Sequence, residues 1–384
     1  MKKTVYLDYA ATTPCDPQVV KVMLPYFTKN FGNTSSIHQF GQDARKALEE
    51  SRRIFAKELN AQKQEIIFTG SASESNNTVL KGISFSNQAK RNHIIISSIE
   101  HDCVINAANW LKTQGFTVTK INIDKKGFVD PQDVKKAIRK NTILVSIMHA
   151  NNEIGTIEPI KEIGKICHNK GVLFHTDAAQ TFGKLPINVK NLNIDLLTAS
   201  SHKIYGPKGA ALLYIRKGIK IEPLLHGGGH EWGKRSSTVN IPAIIGFRKA
   251  VEIYQKNRRS EYQKLGKLKN KLIKEVINNI PNIKINGSVS DSLSNIVNIR
   301  FLGIEGEAIA IHLDIKGIAV STGSACSSES LQPSHVLQAL KLKPEEIHGS
   351  IRFSIGRFTT EKEIDYVLQV LPGIIKKLRK ISPF

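Results

Sequence analysis

Cysteine is scarce in this chain: four in 384 residues, at Cys15, Cys103, Cys167 and Cys326, with no CxxC pair. Spacing this wide excludes the disulfide framework of a small secreted domain and a structural zinc site of the finger or ribbon kind. Long apolar runs are missing too. Nowhere do 18 apolar residues follow one another, and Asp8 breaks the short stretch behind Met1-Lys2-Lys3, so neither a membrane span nor a signal peptide is expected. Acidic residues are in deficit, 33 against 55 Lys plus Arg, for a net charge of +22. Such an excess raises nucleic acid as a partner. It is spread along the chain, however, with +9 from residue 248 onward and the rest before it, so no basic arm forms. Direct nucleic-acid binding is therefore not expected, and the chain reads as cytoplasmic.

What is present is an alternating pattern, with an apolar fraction of 40% that can fill two or three domains. Short β-branched runs, Glu65–Thr69, His93–Ser97, Thr117–Ile123, Ile143–His149, Val172–Asp177, Asp195–Thr198 and Ala210–Ile215, predict strands. Helical spacing falls between them at Ser73–Phe85, Val104–Gln114, Pro131–Arg139 and Pro159–Asn169. Asp130 before Pro131 is an N-cap signal, and Gly171 sits where a helix stop belongs. Alternation of this kind predicts an α/β domain with a largely parallel sheet, over 16–247. After Pro242 a long amphipathic helix leads to strands at Ile296–Phe301, Ile318–Ser321 and Ile351–Ser354. Helices are expected there near Glu307–Asp314, Val336–Leu340 and Lys362–Lys377, the last opened by the capping box Thr360-x-x-Glu363. Residues 1–15 and 248–384 are read as a smaller α+β domain.

Three segments carry chemistry. In Thr198-Ala-Ser-Ser-His-Lys203-Ile-Tyr-Gly206, a lysine follows a strand and precedes a Gly/Pro turn. That places its amine at the carboxyl edge of the sheet, where a Schiff base with an aldehyde can form; an ordinary surface lysine is the competing reading. Phe174-His-Thr-Asp177 ends an apolar strand in an acid that needs a partner once buried, and a pyridinium nitrogen is one such partner; an Asp capping the next helix is another. Gly70-Ser-Ala-Ser-Glu-Ser75, between a strand and a helix, offers free N–H groups to a phosphate, although it is neither a P-loop nor a GxGxxG turn. Together the three describe pyridoxal 5′-phosphate.

With those segments in place, the chain resembles the cysteine desulfurases of the NifS/IscS-like branch of the class V aminotransferases, which are fold type I pyridoxal-phosphate enzymes. The likeness runs from Tyr6-Leu-Asp-Tyr-Ala-Ala-Thr-Thr-Pro14 through Asn151-Asn-Glu-Ile-Gly155 and the lysine segment to Ser350-Ile-Arg-Phe-Ser-Ile-Gly-Arg-Phe-Thr-Thr360. It implies that Lys203 holds the cofactor and moves protons, that Asp177 faces the ring nitrogen, and that Gln180 and Asn152 face the ring-oxygen region. His101 would stack on the ring and exchange protons. Ala72, Ser73, Ser200 and His202 would bind phosphate, joined by Thr238 from the other subunit of a homodimer. Arg352 would clamp the substrate carboxylate with help from Asn33. Cys326, in Ser321-Thr-Gly-Ser-Ala-Cys-Ser-Ser-Glu329, would take sulfur from L-cysteine as a persulfide and leave L-alanine. The sulfur would pass to an iron–sulfur scaffold or to tRNA thiolation. No intrinsic metal is implied, although Cys326 could transiently share a nascent cluster on the scaffold.

Departures from the family pattern are Thr34 at a frequent proline, Gly70 one place early and Ser73 for threonine. The chain also ends without the extra tail that longer members use on their scaffold. A selenocysteine lyase or an aminotransferase is the alternative activity, and Cys326 discriminates, since transamination needs no thiol. Leu225-His-Gly-Gly-Gly-His-Glu231 suggests an esterase oxyanion loop or a metal site, but no GxSxG elbow or HExxH spacing accompanies it.

Overall fold

The computed structural model describes residues 4–88, 91–322 and 333–382. After β1 (Val5–Tyr6) come α1 (Pro17–Met23), α2 (Pro25–Thr28) and α3 (Gln39–Leu59). The alternating stretch runs β2 (Ile66–Thr69), α4 (Ala72–Asn87), β3 (His93–Ser97), α5 (Asp102–Thr113), β4 (Thr117–Ile121), α6 (Pro131–Ala137), β5 (Thr142–Ser146), α7 (Ile160–Lys170), β6 (Leu173–Asp177), β7 (Leu196–Ser200) and β8 (Ala211–Ile215). The long α8 (Ile241–Asn279) leads to β9 (Ile283–Asn286), β10 (Ile296–Phe301), α9 (Gly306–Ile315), β11 (Ile318–Ala319) and β12 (Ser321–Thr322). Then follow α10 (His335–Ala339), α11 (Pro344–His348), β13 (Ser350–Ser354) and α12 (Glu361–Ile381).

Strands β2 to β8 make one seven-stranded sheet in the order β2-β8-β7-β6-β5-β3-β4. All pairs from β7 to β4 are parallel, and β8 is antiparallel to both of its neighbours. Strands β3, β5 and β7 are buried along their whole length. Helices cover both faces, so these strands read as unbroken β-branched and aliphatic runs and not as alternating ones. The punctuation acts as its chemistry requires: the Asp130 carboxylate caps α6, Gly171 closes α7 at φ 63°, and Thr360 with Glu363 forms the capping box of α12. The pattern reading leaves α3 unmarked, yet its buried Ala44, Ala47, Leu48, Ser51, Phe55 and Leu59 follow a helical stripe.

A second sheet, β12-β13-β10-β9, is antiparallel throughout, and β1 pairs in parallel with β11. The single strand expected at Ile318–Ser321 is two short ones, one on β1 and one on β13. Val5 and Leu7 join Leu265, Leu272, Val276, Ile299, Phe353 and Leu371 in the core beside this sheet. The first half of α8, through Tyr254, packs instead with α3 and the large sheet. The boundary drawn at 247/248 thus falls inside one unbroken helix that serves two cores. At the rim of the large sheet, β2 has a neighbour on one side only. Its outward groups are taken by an ion pair: Arg52 Nη1 donates to the Ile66 carbonyl, and Glu231 accepts from the Phe68 N–H at 3.0 Å. Arg52 and Glu231 join each other by two bonds of 2.8 Å. Glu231 is thereby consumed, which removes the metal-site reading of the 226–231 segment.

Candidate active site

The N-terminal segment is the hub of the site. Ala10 and Ala11 present their carbonyls to Lys203 Nζ, each at 2.7 Å, and Ala10 O also accepts from Gln180 Nε2 at 2.9 Å. Lys203 lies in the short helical turn that follows β7, which puts its amine at the carboxyl end of the sheet as expected. That turn is held firmly. Thr13 donates to the His202 carbonyl, Tyr205 N donates to Thr13 Oγ1, and Tyr205 itself adopts a left-handed φ of 66°. A left-handed tyrosine costs conformational energy, which its surroundings must supply. They do: Arg357 lies against the rings of both Tyr205 and Tyr254, 4.4 and 4.6 Å from their centroids, and bonds to Glu261 and Asp16.

Asp177 ends β6 and is nearly buried. Two donors satisfy it, Asn76 Nδ2 at 2.7 Å and the Ala179 N–H at 2.8 Å. Asn76 comes from α4, whose Ser71 cap accepts from Glu74 N. The N–H groups of Ala72 and Ser73 then stand in the first turn, where a helix offers no internal acceptor. His101 caps α5, its Nδ1 accepting from the Cys103 N–H at 3.2 Å. A backbone N–H only donates, so Nδ1 carries the lone pair and the neutral ring carries its proton on Nε2. Burial holds this imidazole below its usual range, with Asp177 pulling upward and Lys203 downward. His202 is pushed down to about 4 by burial and by the lysines around it, and Thr12 Oγ1 lies 3.1 Å from its Nδ1.

Arg352 projects from β13 with its Nη2 on Asp8 at 2.8 Å and its Nη1 on the Asn152 carbonyl at 3.1 Å; its buried Nε has no partner among the described residues. Ser200 is buried at the end of β7. The structure thus gathers Lys203, Asp177, Gln180, His101, Ala72, Ser73, Ser200 and His202 around the carboxyl ends of β6 and β7 and the start of α4. Asn33 and Thr238 are exposed, Asn33 occupied with Ser35 N and Thr238 in a segment tied to α4 by Arg235 on Glu74. Cys326 lies outside the described residues.

The Aminotransferase class-V family model matches residues 5–367. The chain belongs to that family. Similar proteins include cysteine desulfurase IscS of Dictyoglomus turgidum, 51% identical over all of this chain and 98% of that one. Among solved structures, a NifS-like protein matches with TM-score 0.93 at 36% identity, over 98% of this chain and 100% of the other. The structure of SspA in complex with cysteine matches with TM-score 0.84 at 38%, over 93% and 100%.

The cofactor of a class-V enzyme is pyridoxal phosphate, and the donor set fits it. An amine, a buried carboxylate, and a helix N-terminus flanked by a neutral histidine and a serine supply partners for an aldehyde, a ring nitrogen and a phosphate. In this class-V chain several working residues escape sequence reasoning: Asn76 on Asp177, Asp8 on Arg352 and Arg235 on Glu74. Burial pushes the Cys103 thiol up to about 12, so it stays protonated and is no nucleophile. Asn76 could have been noticed as a polar residue on an otherwise apolar helix face. The other pairings join distant parts of the chain and leave no local mark.

Proposed function

We propose that the protein is a cysteine desulfurase that removes sulfur from L-cysteine, releases L-alanine and hands the sulfur to an acceptor. The observation that carries this reading is the placement of Lys203 and Asp177 at adjacent strand ends, within a chain half identical to an enzyme of that name. Bound pyridoxal phosphate supplies an electron sink for the bonds at the substrate α-carbon. Lys203 would secure it and carry protons, Asp177 would keep the ring nitrogen charged, and Gln180 and Asn152 would face the ring oxygen. Ala72, Ser73, Ser200 and His202 would hold the phosphate. Arg352, already oriented by Asp8 and Asn152, would exchange part of that contact for the substrate carboxylate, with Asn33 assisting.

The sulfur step falls to Cys326. Its thiolate attacks the substrate sulfur, an S–S bond forms, and the Cβ–S bond breaks with its electron pair left on Cβ. A proton then completes the alanine methyl group. His101, with its proton on Nε2, is suited to deliver protons near the reacting centre. The acceptor would be an iron–sulfur scaffold or the tRNA-thiolation machinery, in the cytoplasm. A homodimer, with Thr238 crossing to the partner's site, is supported by the exposed Leu24, Phe27, Phe31, Ile37 and Phe40, a stretch a second copy would cover.

The test is to supply L-cysteine and a reductant to the cofactor-loaded protein and to measure alanine beside sulfide. Equal amounts are expected, abolished in Lys203→Ala and reduced at least a hundredfold in Cys326→Ser. Full sulfide release by Cys326→Ser would overturn the persulfide route. Transamination without alanine would favour the aminotransferase alternative.

A further inference from the structure

The turn at residues 151–155 carries two mounts. Its Asn152 carbonyl accepts from Arg352, and its Glu153 carboxylate accepts from Ser334 Oγ at 2.6 Å. Ser334 is the N-cap of α10, and its oxygen accepts from Leu337 N at 3.2 Å. The hydroxyl is therefore used twice, as acceptor toward the helix and as donor toward Glu153. The next residue, His335, donates from Nε2 to the Glu100 carbonyl at 2.9 Å, and its Nδ1 lies 3.7 Å from Asp102. Glu100 and Asp102 flank His101. On the other strand of the connection, Ser321 of β12 pairs directly with Arg352 of β13. In sequence, Ser321 and Ser334 bracket Cys326.

Glu153 has no obvious reason to be acidic if its role were packing alone. It is 6% exposed, and burial pushes its carboxyl up to about 7 against the pull of Arg352. An apolar side chain would fill the same space without the desolvation cost. What it could not do is accept the Ser334 proton.

We propose that Glu153 is a positioning residue for the sulfur-accepting step. Through Ser334 it seats the start of α10 against the turn that also orients Arg352, so that the helix following Cys326 in sequence and the arginine for the substrate carboxylate are held by one turn. This rests on the reading of Cys326 as the sulfur acceptor.

The test uses the cofactor-loaded enzyme and four variants: Glu153→Met and Ser334→Ala, which remove the contact, and Glu153→Gln and Ser334→Thr, which keep it. Two quantities are read for each: the L-cysteine concentration dependence of the cofactor absorbance change, and the single-turnover rate of persulfide formation on Cys326 followed by mass. Glu153→Met and Ser334→Ala are expected to slow persulfide formation about tenfold while the cysteine dependence stays within twofold. Glu153→Gln and Ser334→Thr are expected to retain most of the rate. The double variant Glu153→Met with Ser334→Ala should be no slower than Ser334→Ala alone, because Ser334→Ala already removes the shared contact together with the cap on Leu337 N. Unchanged persulfide rates, parallel loss of both readouts, or additive losses would each overturn the proposal. Should Glu153→Met fail to fold, Glu153→Leu takes its place, because Ser334→Ala also removes the cap on Leu337 N. If the unmodified enzyme forms no persulfide on Cys326, it is the desulfurase reading that fails, separately from this one.

Discussion

A carboxylate placed in a protein interior must find donors or keep its proton, and this chain does both at different positions. Asp177 finds Asn76, 101 residues away in sequence, and the N–H of Ala179. Glu158 does not. Among the described residues only the Val129 N–H reaches its Oε2 and none reaches its buried Oε1, and burial pushes its carboxyl up to about 8. Such a raised value means that the folded state holds a proton the unfolded chain has released. The stability it supplies is complete below the usual carboxylate range and is lost as pH rises toward 8. Glu158→Gln keeps the neutral shape at every pH. We therefore expect parent and variant to melt together near pH 4.5. By pH 8.5 the variant should be the more stable, by on the order of a few kcal/mol, in paired thermal melts across that range.

At the scale of elements, the cradle depends on how α4 begins. Ser71 accepts from Glu74 N, Glu74 accepts from Gly70 N, and Arg235 closes over Glu74 from the neighbouring loop. Ser71→Ala removes the cap and is expected to cost about 1 kcal/mol in denaturant unfolding. Weaker cofactor retention should accompany it, read by absorbance after dialysis. This part of the molecule was largely legible before any coordinates. Strands buried on both faces announce themselves as continuous aliphatic runs, and Asp130, Gly171 and Thr360 punctuate helices by local chemistry. The places of Lys203 and Asp177 were legible for a similar reason, since Asp177 closes β6 and Lys203 lies in the turn just after β7. Their supports were not. Asn76, Asp8, Glu153 and Arg235 act through partners between 101 and 344 residues away, and such pairings exist only once the sheet has assembled. The break between β11 and β12 was equally hidden, because it depends on which neighbour each half meets.

For the whole molecule, Arg357 is the strut between the two cores. It follows β13 of the smaller sheet yet reaches Asp16, Glu261 on α8 and the ring of Tyr205 beside the lysine turn. Arg357→Met would keep much of the stacking volume but leave Asp16 and Glu261, both nearly buried, without their cation. Removal of one partner from such a pair costs about 3–5 kcal/mol. A lower urea midpoint is expected, and a second transition would show that the two cores had lost their coupling. The +22 charge acts at this scale too, as a long-range field that weakens with salt. The ion pair on β2 has a different reach. An edge strand with free amides and carbonyls is a template on which a foreign strand can zip, and four buried residues in a row make β2 attractive in that sense. By spending one guanidinium and one carboxylate on the Ile66 and Phe68 backbone, the chain fills the places a further strand would take. At this edge the last rung is already occupied by side chains, which opposes the zipping of another molecule's strand onto β2.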